Sequence, residues 1–155
     1  MSTEKNKSFV EYAGFEGEVA ETISHSKPWW PERPTAPKGA PNVVIVIADD
    51  LGYSDLGCYG SEISTPNIDK LAGRGLRYTN FHVTPLCSPT RAALMTGCYN
   101  QRISIPGVLF PQAKIGINSA ETTVAEVMKS AGYTTACIGK WHLGHLPEFL
   151  PTKHG

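Results

Sequence analysis

Within Asn42-Val43-Val44-Ile45-Val46-Ile47-Ala48-Asp49, residues 43 to 48 form the longest apolar run in the chain. β-Branched residues fill it, and it has the length of a strand rather than of a helix. A near-continuous run of this kind suits a strand covered on both faces, the situation inside a parallel sheet. It ends abruptly on two carboxylates, Asp49 and Asp50.

Reading toward the C-terminus, Thr65-Pro66 offers a helix cap followed by proline at the first helical position. Ile68 and Leu71 follow at helical spacing, and Gly73 and Gly75 supply stop signals. Residues 76–83, LRYTNFHV, alternate and predict a second strand. Ser88-Pro89 repeats the cap-and-proline pattern and opens a helix that Gly97 closes. Residues 99–118 carry Pro106, Gly107, Pro111 and Gly116 and read as a long loop. Thr123 and Glu126 form a capping box. It starts a helix with Val124, Val127 and Met128 on its apolar face, ended by Gly132. Residues 133–139, YTTACIG, predict a third strand. Strand and helix alternate, so the expected class is α/β, a mostly parallel sheet flanked by helices.

Toward the N-terminus the composition changes. Residues 1–40 are polar as far as Lys27 and then proline-rich, with Pro28, Pro31, Pro34 and Pro37 followed by Pro41. Proline at every third position favours extended polyproline-like backbone. Trp29 and Trp30 in this arm are expected to pack onto the domain formed by residues 41–155; a partner-binding aromatic patch is the alternative.

The 155 residues suffice for one domain or part of one. Lys+Arg and Asp+Glu each number 14, giving a formal net charge of zero. This removes the broad electrostatic case for nucleic acid or an anionic membrane surface. No run approaches the roughly 18 apolar residues of a membrane span. No secretory leader is visible in MSTEKNKSFVEYAG, so the default compartment is the cytoplasm if Met1 is the true start. Cys58, Cys87, Cys98 and Cys137 show no metal-type spacing and are expected as thiols.

Three polar groups follow the three predicted strands, and in open α/β sheets that is where sites collect. Asp49 and Asp50 repel one another unless a cation relieves them. A hard divalent ion such as Ca²⁺ or Mg²⁺ would do so, and a solvated turn would serve equally. Cys87 precedes a helix N-terminus, where peptide N–H groups favour an anion, and Arg91 lies one turn further on. The competing reading is a small buried cysteine beside an ordinary capped helix. Lys140 and His142, two apart in extended backbone, would face one side and could together hold an anionic oxygen and shuttle a proton. His145 is a weaker second candidate; His25, His82 and His154 are read as structural.

These residues resemble a known family. Cys87-Ser88-Pro89-Thr90-Arg91, continuing Ala92-Ala93-Leu94-Met95-Thr96-Gly97, is similar to the sulfatase signature C-x-P-x-R followed by A-A-L-L-T-G. Gly132-Tyr133-Thr134 with Gly139-Lys140-Trp141-His142-Leu143-Gly144 resembles the second sulfatase signature. PNVVIVIADDLGYSDLGCYG resembles the family's opening strand with its metal-binding aspartates, and TPNIDKLAGRGLRYTNFH the segment between. The resemblance runs from about Pro41 to the end and implies an alkaline-phosphatase-like fold.

It also implies a chemistry. Cys87 would be oxidised to formylglycine by a formylglycine-generating enzyme, and its hydrate would attack the sulfur of a small-molecule or carbohydrate sulfate ester. Asp49 and Asp50, with residue 87, would bind Ca²⁺ (Mg²⁺ being possible). Arg91 and Lys140 would stabilise the hydrate and the transferring group, and His142 would orient the hydrate and assist its proton traffic. The family's pattern also includes a later Asp-Asn pair, a later histidine and a later lysine. The 15 residues after Lys140 contain no Asp or Asn. The chain is therefore expected to correspond to the N-terminal portion of such an enzyme, and to be marginally stable and nearly inactive alone. The alternatives are a phosphonate or phosphodiester hydrolase sharing C-x-P-x-R, or a truncated non-catalytic module. A thiol redox role for Cys87 lacks a resolving cysteine nearby.

Overall fold

The computed structural model describes residues 14–32 and 35–155; the leader reading of the first residues and Pro34 lie outside these. The chain divides into two compact units between Thr35 and Ala36.

In the first unit a single antiparallel bridge joins Glu18 and Lys27. Both backbone hydrogen bonds form, Glu18 N–H to the Lys27 carbonyl at 3.0 Å and Lys27 N–H to the Glu18 carbonyl at 2.8 Å. Their side chains pair at 2.8 Å, and Phe15 meets Trp29 edge to face at 5.7 Å between centroids. Trp29 thus packs within its own unit, while Trp30 is exposed.

The second unit contains three α-helices: α1, Pro66–Ala72; α2, Cys87–Thr96; and α3, Val124–Ser130. α1 and α3 lie where the cap and proline signals place them. α1 starts after Thr65 with Pro66 at its first turn. The Thr65 hydroxyl donates to Asp69 Oδ1 at 2.9 Å rather than capping the backbone. Asp69 Oδ1 also accepts from Cys58 N–H at 2.7 Å, and Thr65 Oγ1 from Gly57 N–H at 2.8 Å, which moors the preceding turn to the helix. α3 carries the full capping box: Glu126 N–H donates to Thr123 Oγ1 at 3.2 Å and Thr123 N–H to Glu126 Oε2 at 2.7 Å. α2 begins two positions earlier than expected. Leu86 is its cap, and Ser88 lies inside the first turn.

The expected parallel sheet is not formed: among the described residues none is in a strand ladder. Residues 42–49, 76–83 and 133–139 have the composition of strands but form no strand ladder. Val44 is 81%, Val46 87% and Ile138 95% exposed. An apolar, β-branched pattern states what a segment suits when covered. Strand geometry persists only where another segment completes the ladder, and that partner is not encoded locally.

The core sits elsewhere. Ala92 of α2 packs with Ile103, Ile105, Leu109, Ile117 and Leu143, bordered by Met95, Cys98, Ala113 and Trp141. Most of it comes from the segment 99–118, irregular as expected but folded inward. Asn100 and Ile105 clamp its turn through backbone and side-chain hydrogen bonds of 2.9 Å. Ile117 N–H donates to the Leu143 carbonyl at 2.8 Å, joining this segment to the one that carries Lys140 and His142. Gly144 (φ 127°) lets Phe149 close over that junction; a Cβ there would stand 2.4 Å from the Phe149 Cβ.

Candidate active site

α2 presents Cys87 as its first residue and Arg91 one turn later. Arg91 is buried, and a buried guanidinium needs acceptors. It donates to the backbone carbonyl of Lys140 and lies 3.6 Å from Asp49 Oδ1. The Lys140 ammonium donates to Asp49 Oδ2 at 2.6 Å. One carboxylate therefore faces two cations drawn from α2 and from the Lys140 segment.

The electrostatics follow from these contacts. The Asp49 carboxyl is held below the usual carboxylate range, first by its hydrogen bond from Lys140, which outweighs the opposing desolvation, and then by the charges of Lys140 and Arg91. The Lys140 ammonium is held above its usual range, again chiefly by Asp49, and interaction with the Cys87 thiol adds to this. Asp49 and Lys140 are partly open to solvent, 47% and 37% exposed, so water screens much of the attraction.

Of the residues singled out from the sequence, Asp49, Cys87, Arg91 and Lys140 are thus brought together. His142 is not turned to the same partner as Lys140. Its backbone is left-handed (φ 60°) rather than extended, and its ring goes to the Leu109 carbonyl at 3.0 Å. The expectation that both side chains face one side fails because that residue departs from strand geometry. Asp50 adjoins Asp49 and has a left-handed backbone (φ 54°). Among the described residues no group of three or more His, Cys, Asp or Glu converges on a point that would hold a metal ion.

Two contributors were missed or underrated. Leu109 places its peptide between the two signature segments: its N–H donates to the buried Ser88 Oγ at 3.1 Å, and its carbonyl accepts from His142 and also from His145, at 3.1 Å. A backbone group has no sequence signature, so only a buried serine in α2 hinted at it. Trp141 donates its indole N–H to the Phe149 carbonyl at 2.8 Å and stacks on buried His154 at 6.2 Å, which anchors the residue between Lys140 and His142. His82 Nε2 lies 2.6 Å from Asn80 Oδ1, and His154 Nε2 lies 3.2 Å from the Glu148 carbonyl. Cys98 is partly buried against the core.

Cys87 on the first turn of α2 thus has buried Arg91 one turn on and Lys140 beside it. The Sulfatase family profile matches residues 41–154, and the chain belongs to that family. Human arylsulfatase A is 54% identical over 120 residues, covering 74% of this chain and 24% of that protein. Human N-acetylgalactosamine-6-sulfatase is 43% identical over 125 residues, with the same coverage of each. The crystal structure of Ps i-CgsB in complex with k-i-k-neocarrahexaose superposes with a TM-score of 0.67 at 39% identity, over 70% of this chain and 25% of that one. The family's fold is thus shared over this region, although the strand ladders are not formed. The chain spans about a quarter of the length of the curated relatives it matches.

Proposed function

We propose that this chain carries the nucleophile-bearing part of a sulfuric ester hydrolase. The observation that carries the reading is the convergence of Asp49, Arg91 and Lys140 beside Cys87, in a chain of the sulfatase family. Residue 87, oxidised at Cβ to formylglycine by a maturation enzyme and hydrated, would supply the oxygen that attacks sulfur while the alcohol leaves. Its place on the first turn of α2 puts the peptide dipoles behind the negative charge that develops there. Arg91, fixed by the Lys140 carbonyl, presents its guanidinium without having to be ordered during the reaction. Lys140, held by Asp49, would contribute a positive charge toward the departing sulfate oxygens.

Asp49 and Asp50 would supply two of the roughly six to eight oxygen ligands of a Ca²⁺ site, the remainder having to come from elsewhere, since among the described residues no metal-binding group converges. The cations around Asp49 keep it ionised, the form in which it ligates a hard cation. Bound there, Ca²⁺ would polarise sulfate oxygens and acidify the attacking hydroxyl. The carbohydrate complex of the solved relative favours a sulfated sugar among candidate substrates.

The test is mass analysis of the residue-87 peptide from the native source, paired with turnover of aryl sulfate and aryl phosphonate esters side by side. An aldehyde at residue 87 with sulfate preference supports the reading. An unmodified thiol, or phosphonate preference, overturns it.

A further inference from the structure

His154 is 1% exposed, and the proposed chemistry makes no use of it. Its ring lies against the Trp141 indole, 6.2 Å between centroids and 25° between planes. Nε2 stands 3.2 Å from the Glu148 carbonyl; a carbonyl oxygen has no proton to give, so Nε2 is the donor. Nδ1 is buried with no hydrogen-bond partner, so the ring has a single tether. The backbone of the residue is tied as well. Its N–H donates to the Pro151 carbonyl at 3.1 Å, and its carbonyl accepts at 2.6 Å from the hydroxyl of Thr123, the cap of α3. A ring held at these three points is a fixed surface for the indole. Trp141 itself donates to the carbonyl of Phe149, the residue after the one that tethers His154.

We propose that His154 is a positioning residue that sets the peptide joining Lys140 to Trp141, and with it the two cations of the site, Arg91 and Lys140. That peptide is held from both sides. Its carbonyl, belonging to Lys140, accepts from buried Arg91, and the indole on its other side is pinned against His154. The Lys140 ammonium reaches Asp49 at 2.6 Å from the same stretch of backbone. Stacked rings hold one another through buried area and through the geometry of their faces. With the His154 ring removed, the indole would keep one hydrogen bond and lose the surface that fixes its plane. The peptide could then tilt, and the Arg91 guanidinium would lose a stationary acceptor. A guanidinium ordered before a substrate arrives need not be ordered at its expense. The inference rests on the proposed hydrolase for what Arg91 and Lys140 do, and on these contacts alone for how they are held.

Nitrogen-15 spectra of the Arg91 guanidinium in the full chain test this without turnover. In the wild type its two Nη groups should be resolved, because a guanidinium tied to a fixed carbonyl does not rotate freely. His154→Ala should average them while the amide signals of α2 persist. His154→Phe keeps a ring against the indole and loses only the Nε2 tether, so it should leave them at least partly resolved. Resolved Nη signals in a folded His154→Ala overturn the proposal, and so does averaging in His154→Phe as complete as in His154→Ala. If neither variant folds, the wild type decides: nuclear Overhauser contacts between the Trp141 and His154 rings together with resolved Arg91 Nη signals support the proposal, and the absence of either overturns it. A chain with the expected response but an unmodified Cys87 would refute the hydrolase reading alone. A matured, active protein whose Arg91 ignores His154→Ala would refute this inference alone.

Discussion

The Lys140 ammonium sits 2.6 Å from the Asp49 carboxylate, a pair separated by 91 positions in sequence. It closes the link between the turn after the first apolar run and the signature segment around Lys140, with Arg91 of α2 completing the cluster.

This pair sets a pH window. The Asp49 carboxyl is lowered, so its contribution is present above the ordinary carboxylate range and is lost as pH falls through its folded value. Lys140 is raised, so its share is present below the ordinary lysine range and is lost as pH rises through its folded value. Lys140→Met should therefore move the Asp49 carboxyl titration upward, read by carbon-13 NMR of the side chain. An unmoved titration would show that the contact does not persist in solution. Stability should change little, since both groups face water.

Divalent-ion binding should depend on the same carboxylate. Calorimetric titration of the full chain with Ca²⁺ should give a weak response that Asp49→Asn and Asp50→Asn each abolish. Equal responses in wild type and both variants would remove these residues from any cation site.

Ser88→Ala should destabilise the chain by about 1–3 kcal/mol, the cost of leaving the buried Leu109 N–H without an acceptor. Urea unfolding measures this. A change of only a few tenths would mean that water replaces the hydroxyl.

Thr123→Ala should lose about 1–2 kcal/mol, and Thr123→Ser much less. The threonine caps α3, and its hydroxyl donates to the His154 carbonyl at 2.6 Å, so alanine removes two interactions and serine neither. Equal losses in the two variants would locate the effect in the methyl group instead.

The local signals were legible. Thr65-Pro66 and the Thr123 and Glu126 capping box act through neighbours three or four residues away, and α1 and α3 start where they indicate, while α2 starts two positions before its Ser88-Pro89 signal. Even there, the role of Ser88 was not local. It reads as a cap in sequence and serves as an acceptor for Leu109 in space.

The sequence by itself determined the helices, the family signatures and the chemical character of Asp49, Cys87, Arg91 and Lys140, because spacing and side-chain chemistry belong to the chain. Tertiary structure decided the rest. It left the apolar runs at 42–49, 76–83 and 133–139 without ladders, because pairing requires a second segment. It turned the long loop 99–118 into the core around Ile105, Leu109 and Ile117. It also gave His142 its partner, because a peptide carbonyl is common to every residue and only folding brings that of Leu109 within 3.0 Å of the ring.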